Sequence, residues 1–119
     1  MSILEKQEEL IKKFENLTDW EDKYKLIIQF GKELPVFPEE LKIDKNKIDG
    51  CQSQVWINAK HENGKIQISA DSDALIVKGL IAMLIEVYSD SSPDEILASP
   101  PDFLKKIGID NHLSPTRKN

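Results

Sequence analysis

The chain of 119 residues is 39% hydrophobic and 31% charged, which fits one soluble globular domain with a single core. Its 16 basic residues against 21 acidic ones give a net charge of −5, and Lys12-Lys13, Lys23, Lys25 and Lys105-Lys106 are mixed with acids, so no basic stripe offers itself to nucleic acid. A single cysteine excludes an internal disulfide, and the N-terminus turns charged at Glu5-Lys6 without a signal-peptide core, so a cytoplasmic protein away from the membrane is expected.

Ser2 and Glu5 have capping-box spacing, and Ile3, Leu4, Gln7, Leu10, Ile11 and Phe14 then fall three or four apart. The spacing predicts an amphipathic first helix with Glu5, Glu8, Glu9, Lys12 and Lys13 on its solvated side. Thr18 and Glu21 repeat the capping-box spacing, and Trp20, Tyr24, Ile27, Ile28, Gly31 and Leu34 mark the apolar stripe of a second helix that Pro35 stops. Trp20 and Tyr24 are expected in the core. Val36 to Asp49 reads as a long connection with one helical turn at Glu39 to Leu41, and it delivers the chain to Cys51.

Gly50 allows a sharp turn just before the sulfur, so the Cys51 thiol is expected on a loop near solvent, where a partner can reach it. Val55, Ile57 and Ala59 alternate with polar neighbours in a strand from Gln54 to Ala59. Asn63-Gly64 predicts a tight hairpin turn into a return strand from Lys65 to Ala70. His61 is expected at the hairpin tip with no special role.

Asp71-Ser72-Asp73 offers caps for a helix from Ala74 to Tyr88 that is apolar nearly all round. Fifteen residues at 1.5 Å each span roughly 22 Å, short of a ~30 Å hydrocarbon layer, so this is expected to be the central core helix. Gly79 within it predicts close approach by another element. Ser92, Pro93 and Glu95 open a short helix, and Ser99-Pro100-Pro101-Asp102 opens another through Phe103, Leu104 and Ile107 that Gly108 stops.

One cysteine and two separated histidines make a protein-held metal or iron–sulfur cluster improbable on ligand count alone. A nucleophilic pair of Cys51 with His112 or His61 is conceivable, although no oxyanion hole or orienting third residue stands out. What remains is a protein that carries, exchanges or is modified on sulfur.

The stretch Gly50-Cys51-Gln52-Ser53-Gln54-Val55-Trp56, then Asp71-Ser72-Asp73-Ala74 with Ile76-Val77-Lys78-Gly79-Leu80, then His112-Leu113-Ser114-Pro115-Thr116-Arg117, resembles the SufE family of sulfur acceptors over essentially the whole chain. The resemblance implies one α+β domain over residues 1–119, an antiparallel sheet with helices packed against it, similar to IscU-like scaffold proteins. It implies Cys51 as persulfide acceptor from a pyridoxal-phosphate-dependent, SufS-like cysteine desulfurase, with delivery to a SufBCD-like iron–sulfur scaffold complex and no cofactor on this chain. Gly50, Gln52, Gln54, Asp73, His112 and Arg117 are then expected to support the Cys51 loop or to dock the partner, with a helix N-cap as the plain alternative for Asp73 and a surface charge for Arg117. A homodimer is compatible with this reading. A docking subunit that activates a desulfurase without relaying sulfur is the competing one. Family members continue past Pro115-Thr116-Arg117 with a further helix, so a shortened chain with part of its core exposed is a further expectation.

Overall fold

In the computed structural model of the protein, residues 2–48 and 53–109 are described. Helix α1 (Ile3–Phe14) begins as its sequence dictates: the Glu5 N–H donates to Ser2 Oγ at 3.2 Å and the Ser2 N–H donates back to Glu5 Oε1 at 2.9 Å. It buries Ile3, Gln7, Leu10 and Phe14. Helix α2 (Trp20–Lys32) starts one residue later than the Thr18 spacing predicts. Its N-cap is Asp19, whose carboxylate accepts the Glu21 N–H at 3.1 Å. A charged acceptor at the positive end of a helix favours that choice over a hydroxyl.

The buried face of α2 is Ile27, Phe30 and Gly31. Phe30 pulls that face off the line through Trp20 and Tyr24, which corrects the expected stripe. Tyr24 is 36% exposed and Trp20 only partly buried. Their rings lie 5.5 Å apart at the rim, with the Lys23 ammonium 5.1 Å from the Trp20 ring centre.

After one 3₁₀ turn at Glu39–Leu41, the turn foreseen from sequence, and a second at Asp44–Asn46, the chain enters a hairpin. Strands β1 (Val55–Glu62) and β2 (Lys65–Ser72) pair antiparallel from Val55 with Ser72 to Glu62 with Lys65. Asn63 and Gly64 both take positive φ, 54° and 77°, as a two-residue hairpin turn requires. Both strands run past their apolar alternation, because a tight turn fixes the register and the ladder continues through charged residues such as Lys60 and Glu62. His61 is exposed on β1, opposite Ile66.

Helix α3 (Leu75–Tyr88) crosses α2 where glycine meets glycine. A Cβ on Gly31 would stand 2.9 Å from the Gly79 nitrogen, and one on Gly79 would run into the Ile27 carbonyl. The close approach expected at Gly79 is therefore a backbone-to-backbone contact with α2. Gly79, Ala82, Met83, Val87 and Tyr88 are buried, but Leu75 is 62% exposed and α3 is not covered all round. A two-stranded sheet is too narrow to cover it. Between the sheet and α3 an apolar groove of about 370 Å³ is lined by residues including Ile57, Ile68, Ile81, Leu84 and Ile96.

The Ser92–Glu95 capping box and Pro93 start α4 (Pro93–Ala98). Helix α5 (Phe103–Ile107) ends at Gly108 in the left-handed conformation, φ 85°. Phe103, Leu10, Ile27, Met83, Ile109 and Val87 are the most deeply buried side chains. The Tyr88 hydroxyl joins α1, α3 and the segment after α4: it donates to the Ser99 carbonyl at 2.7 Å, while the Gln7 side-chain amide donates to it at 3.4 Å and to the Pro100 carbonyl at 3.2 Å. Burial raises the Tyr88 hydroxyl above its ordinary pKa. The described residues thus form an α+β fold, with helices packed against a two-stranded antiparallel sheet.

Candidate functional site

Gly50, Cys51, Gln52, His112 and Arg117 lie outside the described residues. The chain on either side of residues 49–52 is fixed, however, by two sets of hydrogen bonds. On the incoming side, the Ile48 N–H donates to the Val55 carbonyl at 2.9 Å, and Lys47 forms an isolated antiparallel bridge with Trp56. On the outgoing side, the Gln54 N–H donates to Asp73 Oδ1 at 3.0 Å, and the Asp73 N–H donates to the Gln54 carbonyl at 3.3 Å.

Asp73 and Gln54, two of the residues singled out from the sequence, are therefore brought together. The N-cap alternative for Asp73 does not hold. The residue before α3 is Ala74, no side chain caps that helix, and the Asp73 carboxylate is spent on the strand entry instead. The Ser72 hydroxyl accepts the Ala74 N–H at 3.3 Å, so the Asp71-Ser72-Asp73 run serves the turn and the hairpin rather than the helix end.

A charged cluster that sequence reasoning missed sits beside this frame. Lys42 follows the first 3₁₀ turn, and its ammonium reaches Glu39 at 3.0 Å and Asp71 at 3.1 Å. The same nitrogen stands 5.4 Å from the centre of the Trp56 ring. Asp71 also accepts from Lys78 of α3 at 3.3 Å and from the Ser72 N–H at 2.8 Å. Trp56 and Asp71 are cross-strand partners, so the hairpin register itself places ring and carboxylate side by side. That much was available from the Asn63-Gly64 turn. The arrival of Lys42 was not, because it depends on the path of the connection after Pro35.

Burial alone would raise the Asp71 carboxyl, but hydrogen bonds from Lys42, the Ser72 N–H and Lys78 outweigh it and hold the group below the usual carboxylate range. Lys42 moves the other way, raised by its bonds to Glu39 and then Asp71. Both groups are thus held charged around neutral pH. No described helix is long and apolar enough to cross a membrane.

Comparison with known proteins agrees with the motifs. Residues 8–119 match SufE, the Fe-S metabolism associated domain. An uncharacterized SufE-like protein of Synechocystis sp. is 41% identical over 110 residues, which cover 92% of this chain and 69% of that relative. In fold, the chain is similar to the solution structure of a hypothetical protein from Thermus thermophilus, with a TM-score of 0.73 at 23% identity, over 94% of this chain and 82% of the other. The family model over residues 8–119 and the 41% identical relative place the chain in one family with a role in Fe-S metabolism: it belongs to the SufE family.

Proposed function

We propose that the protein accepts sulfur on Cys51 from a pyridoxal-phosphate-dependent cysteine desulfurase and relays it to the iron–sulfur assembly machinery. The observation that carries this reading is the position of the lone cysteine. It lies in the family's Gly50–Trp56 stretch, among the five residues between Ile48, which is hydrogen-bonded to β1, and Gln54, which is hydrogen-bonded to Asp73. A thiol carried between two fixed ends can be offered to a partner without unfolding the sheet.

The step balances without an external oxidant. The Cys51 thiol loses its proton to solvent, and the thiolate attacks the outer sulfur of a persulfide on the desulfurase. A new S–S bond forms on Cys51, the desulfurase S–S bond breaks, and the desulfurase cysteine leaves as a thiolate and is reprotonated. The sulfur moves on to the scaffold by the same exchange. The pyridoxal phosphate belongs to the desulfurase, and this chain supplies only the nucleophile and its presentation. Gly50, Gln52, Gln54, Asp73, His112 and Arg117 are assigned to supporting that presentation or to docking.

Cys51→Ser separates this reading from that of a docking activator. An acceptor loses all transfer of labelled sulfur to the scaffold, whereas a docking activator keeps most of its stimulation of the desulfurase. Retained stimulation and retained transfer in Cys51→Ser would sink the acceptor role.

A further inference from the structure

We infer that Asn63 is the site at which this chain first deamidates, and that a clamp on the hairpin tip sets how fast it does so. Asn63 is followed by Gly64, whose backbone nitrogen has no side chain beside it to hinder attack on the Asn63 amide. Asn16, Asn46, Asn58 and Asn111 stand before Leu17, Lys47, Ala59 and His112, each with a side chain that crowds the same approach. Both turn residues are exposed, and a methyl built on Gly64 would meet nothing within 4 Å. Among the described residues the Asn63 side chain has no hydrogen-bond partner, and the Gly64 N–H donates to no backbone carbonyl. Electrophile, nucleophile and water therefore meet at one point.

The step needs water and no oxidant. The Gly64 nitrogen gives its proton to solvent and attacks the side-chain carbonyl carbon of Asn63. A C–N bond forms, the bond to the amide nitrogen breaks, and ammonia leaves a five-membered succinimide. Water then opens the ring at either carbonyl. One opening gives aspartate; the other gives isoaspartate, whose main chain runs through the former side chain and carries an extra methylene. A two-residue turn between paired Glu62 and Lys65 has no room for that methylene.

The folded turn withholds the reaction. With positive φ at both residues, the first has ψ of about +30°. That angle turns the Gly64 nitrogen away from the Asn63 side chain, so the ring closes only when the tip opens. How often it opens depends on what holds β2 just past the turn. The Ile66 N–H donates to the Ser91 carbonyl at 2.8 Å, and the Asp90 N–H donates to the Ile66 carbonyl at 2.7 Å. The Gln67 amide donates to Asp90 Oδ1 at 2.8 Å, and the Lys65 ammonium stands 4.0 Å from the other carboxylate oxygen. Asp90 itself takes φ 64°, a left-handed conformation that a short polar side chain tolerates. The segment after α3 thus grips the first residues of β2, and with β2 held on both sides the tip stays shut more of the time.

The test follows the conversion of each asparagine by peptide mapping in mildly alkaline buffer, with aspartate and isoaspartate resolved. Wild type is incubated folded and, in parallel, unfolded in guanidinium. Asp90→Gly, which keeps the left-handed backbone but loses the carboxylate, and Asp90→Asn, which keeps an acceptor for Gln67, are treated in the same way.

Asn63 is expected to convert before every other asparagine in both states, and about tenfold more slowly when folded, the scale of opening one hydrogen-bonded turn. Asp90→Gly raises the folded rate about threefold and leaves the unfolded rate unchanged, whereas Asp90→Asn stays within about twofold of wild type. A thermal midpoint shows that folded variants are compared. Should Asp90→Gly not fold, Gln67→Leu removes the same 2.8 Å bond from the other side and carries the same expectation. Another asparagine converting first, equal folded and unfolded rates at Asn63, or a folded rate untouched by loss of the Asp90–Gln67 bond overturns the inference.

Discussion

Gln54 and Asp73 hold each other by two hydrogen bonds, the Gln54 N–H to the Asp73 carboxylate at 3.0 Å and the Asp73 N–H to the Gln54 carbonyl at 3.3 Å. The pair closes the open end of the hairpin just beyond Val55 and Ser72, two residues after the Cys51 stretch. Asp73→Ala keeps the backbone half and removes the side-chain half. Because both residues are exposed, water replaces the lost acceptor and the stability cost stays below about 1 kcal/mol. Amide exchange at Gln54 should nonetheless accelerate well above wild type while that at Ile57 stays protected. Unchanged exchange at Gln54 would show that the carboxylate does not hold the strand entry.

The glycine contact between α2 and α3 gives a sharper stability test. Gly79→Ala drives a methyl into the Ile27 carbonyl, which is backbone and cannot swing away. A loss of about 3 kcal/mol is expected, at the upper end of overpacking costs. At Gly64→Ala nothing crowds the new methyl, and only the positive φ of 77° opposes it, for about 1 kcal/mol. Urea midpoints that rank the two variants the other way round would contradict the crossing described here.

Asp71 predicts a particular acid response. Its folded pKa lies below its unfolded value, so its contribution is fully present above the unfolded pKa of about 3.9 and is lost as pH falls through the lower, folded one. Asp71→Asn should therefore be less stable than wild type at neutral pH, and the gap should close as pH falls below about 4. Urea midpoints measured between neutral pH and acid check this. A gap that persists in acid would assign the effect to shape rather than charge.

Tyr88→Phe removes the donor that serves the Ser99 carbonyl and the acceptor that serves Gln7. The cost should be about 1–3 kcal/mol, that of leaving a part-buried polar group unpaired. Gln7→Leu in the same background should then cost less than it does in wild type, since only its bond to the Pro100 carbonyl is left to lose. Full additivity in that double-mutant cycle would mean that Gln7 and Tyr88 act separately.

Much of this was legible in the sequence because the signals were local. Ser2 with Glu5, Ser92 with Glu95, Asn63-Gly64 and Gly108 each settle a cap or a turn within four residues, and each stands where the spacing predicts. What escaped depends on partners far along the chain. Tyr24 matched the helical period of α2, but Phe30 decides which face turns inward. Asp73 stood where a cap belongs, and the strand entry claimed its carboxylate. Lys42 lay in a connection without periodicity, and only the folded path brings it to Asp71 and Trp56. Cys51 was legible as a candidate for the opposite reason: it is the one thiol, in a stretch with a family signature.

The central claim is that sulfur resides on Cys51. The direct measurement is the intact mass of the protein after incubation with a cysteine desulfurase and free cysteine, followed by peptide mapping with and without reductant. The account predicts additions of one sulfur atom or more, located on Cys51, removed by reductant and absent in Cys51→Ser. An unmodified mass while the desulfurase is turning over, or sulfur found anywhere but Cys51, would contradict it.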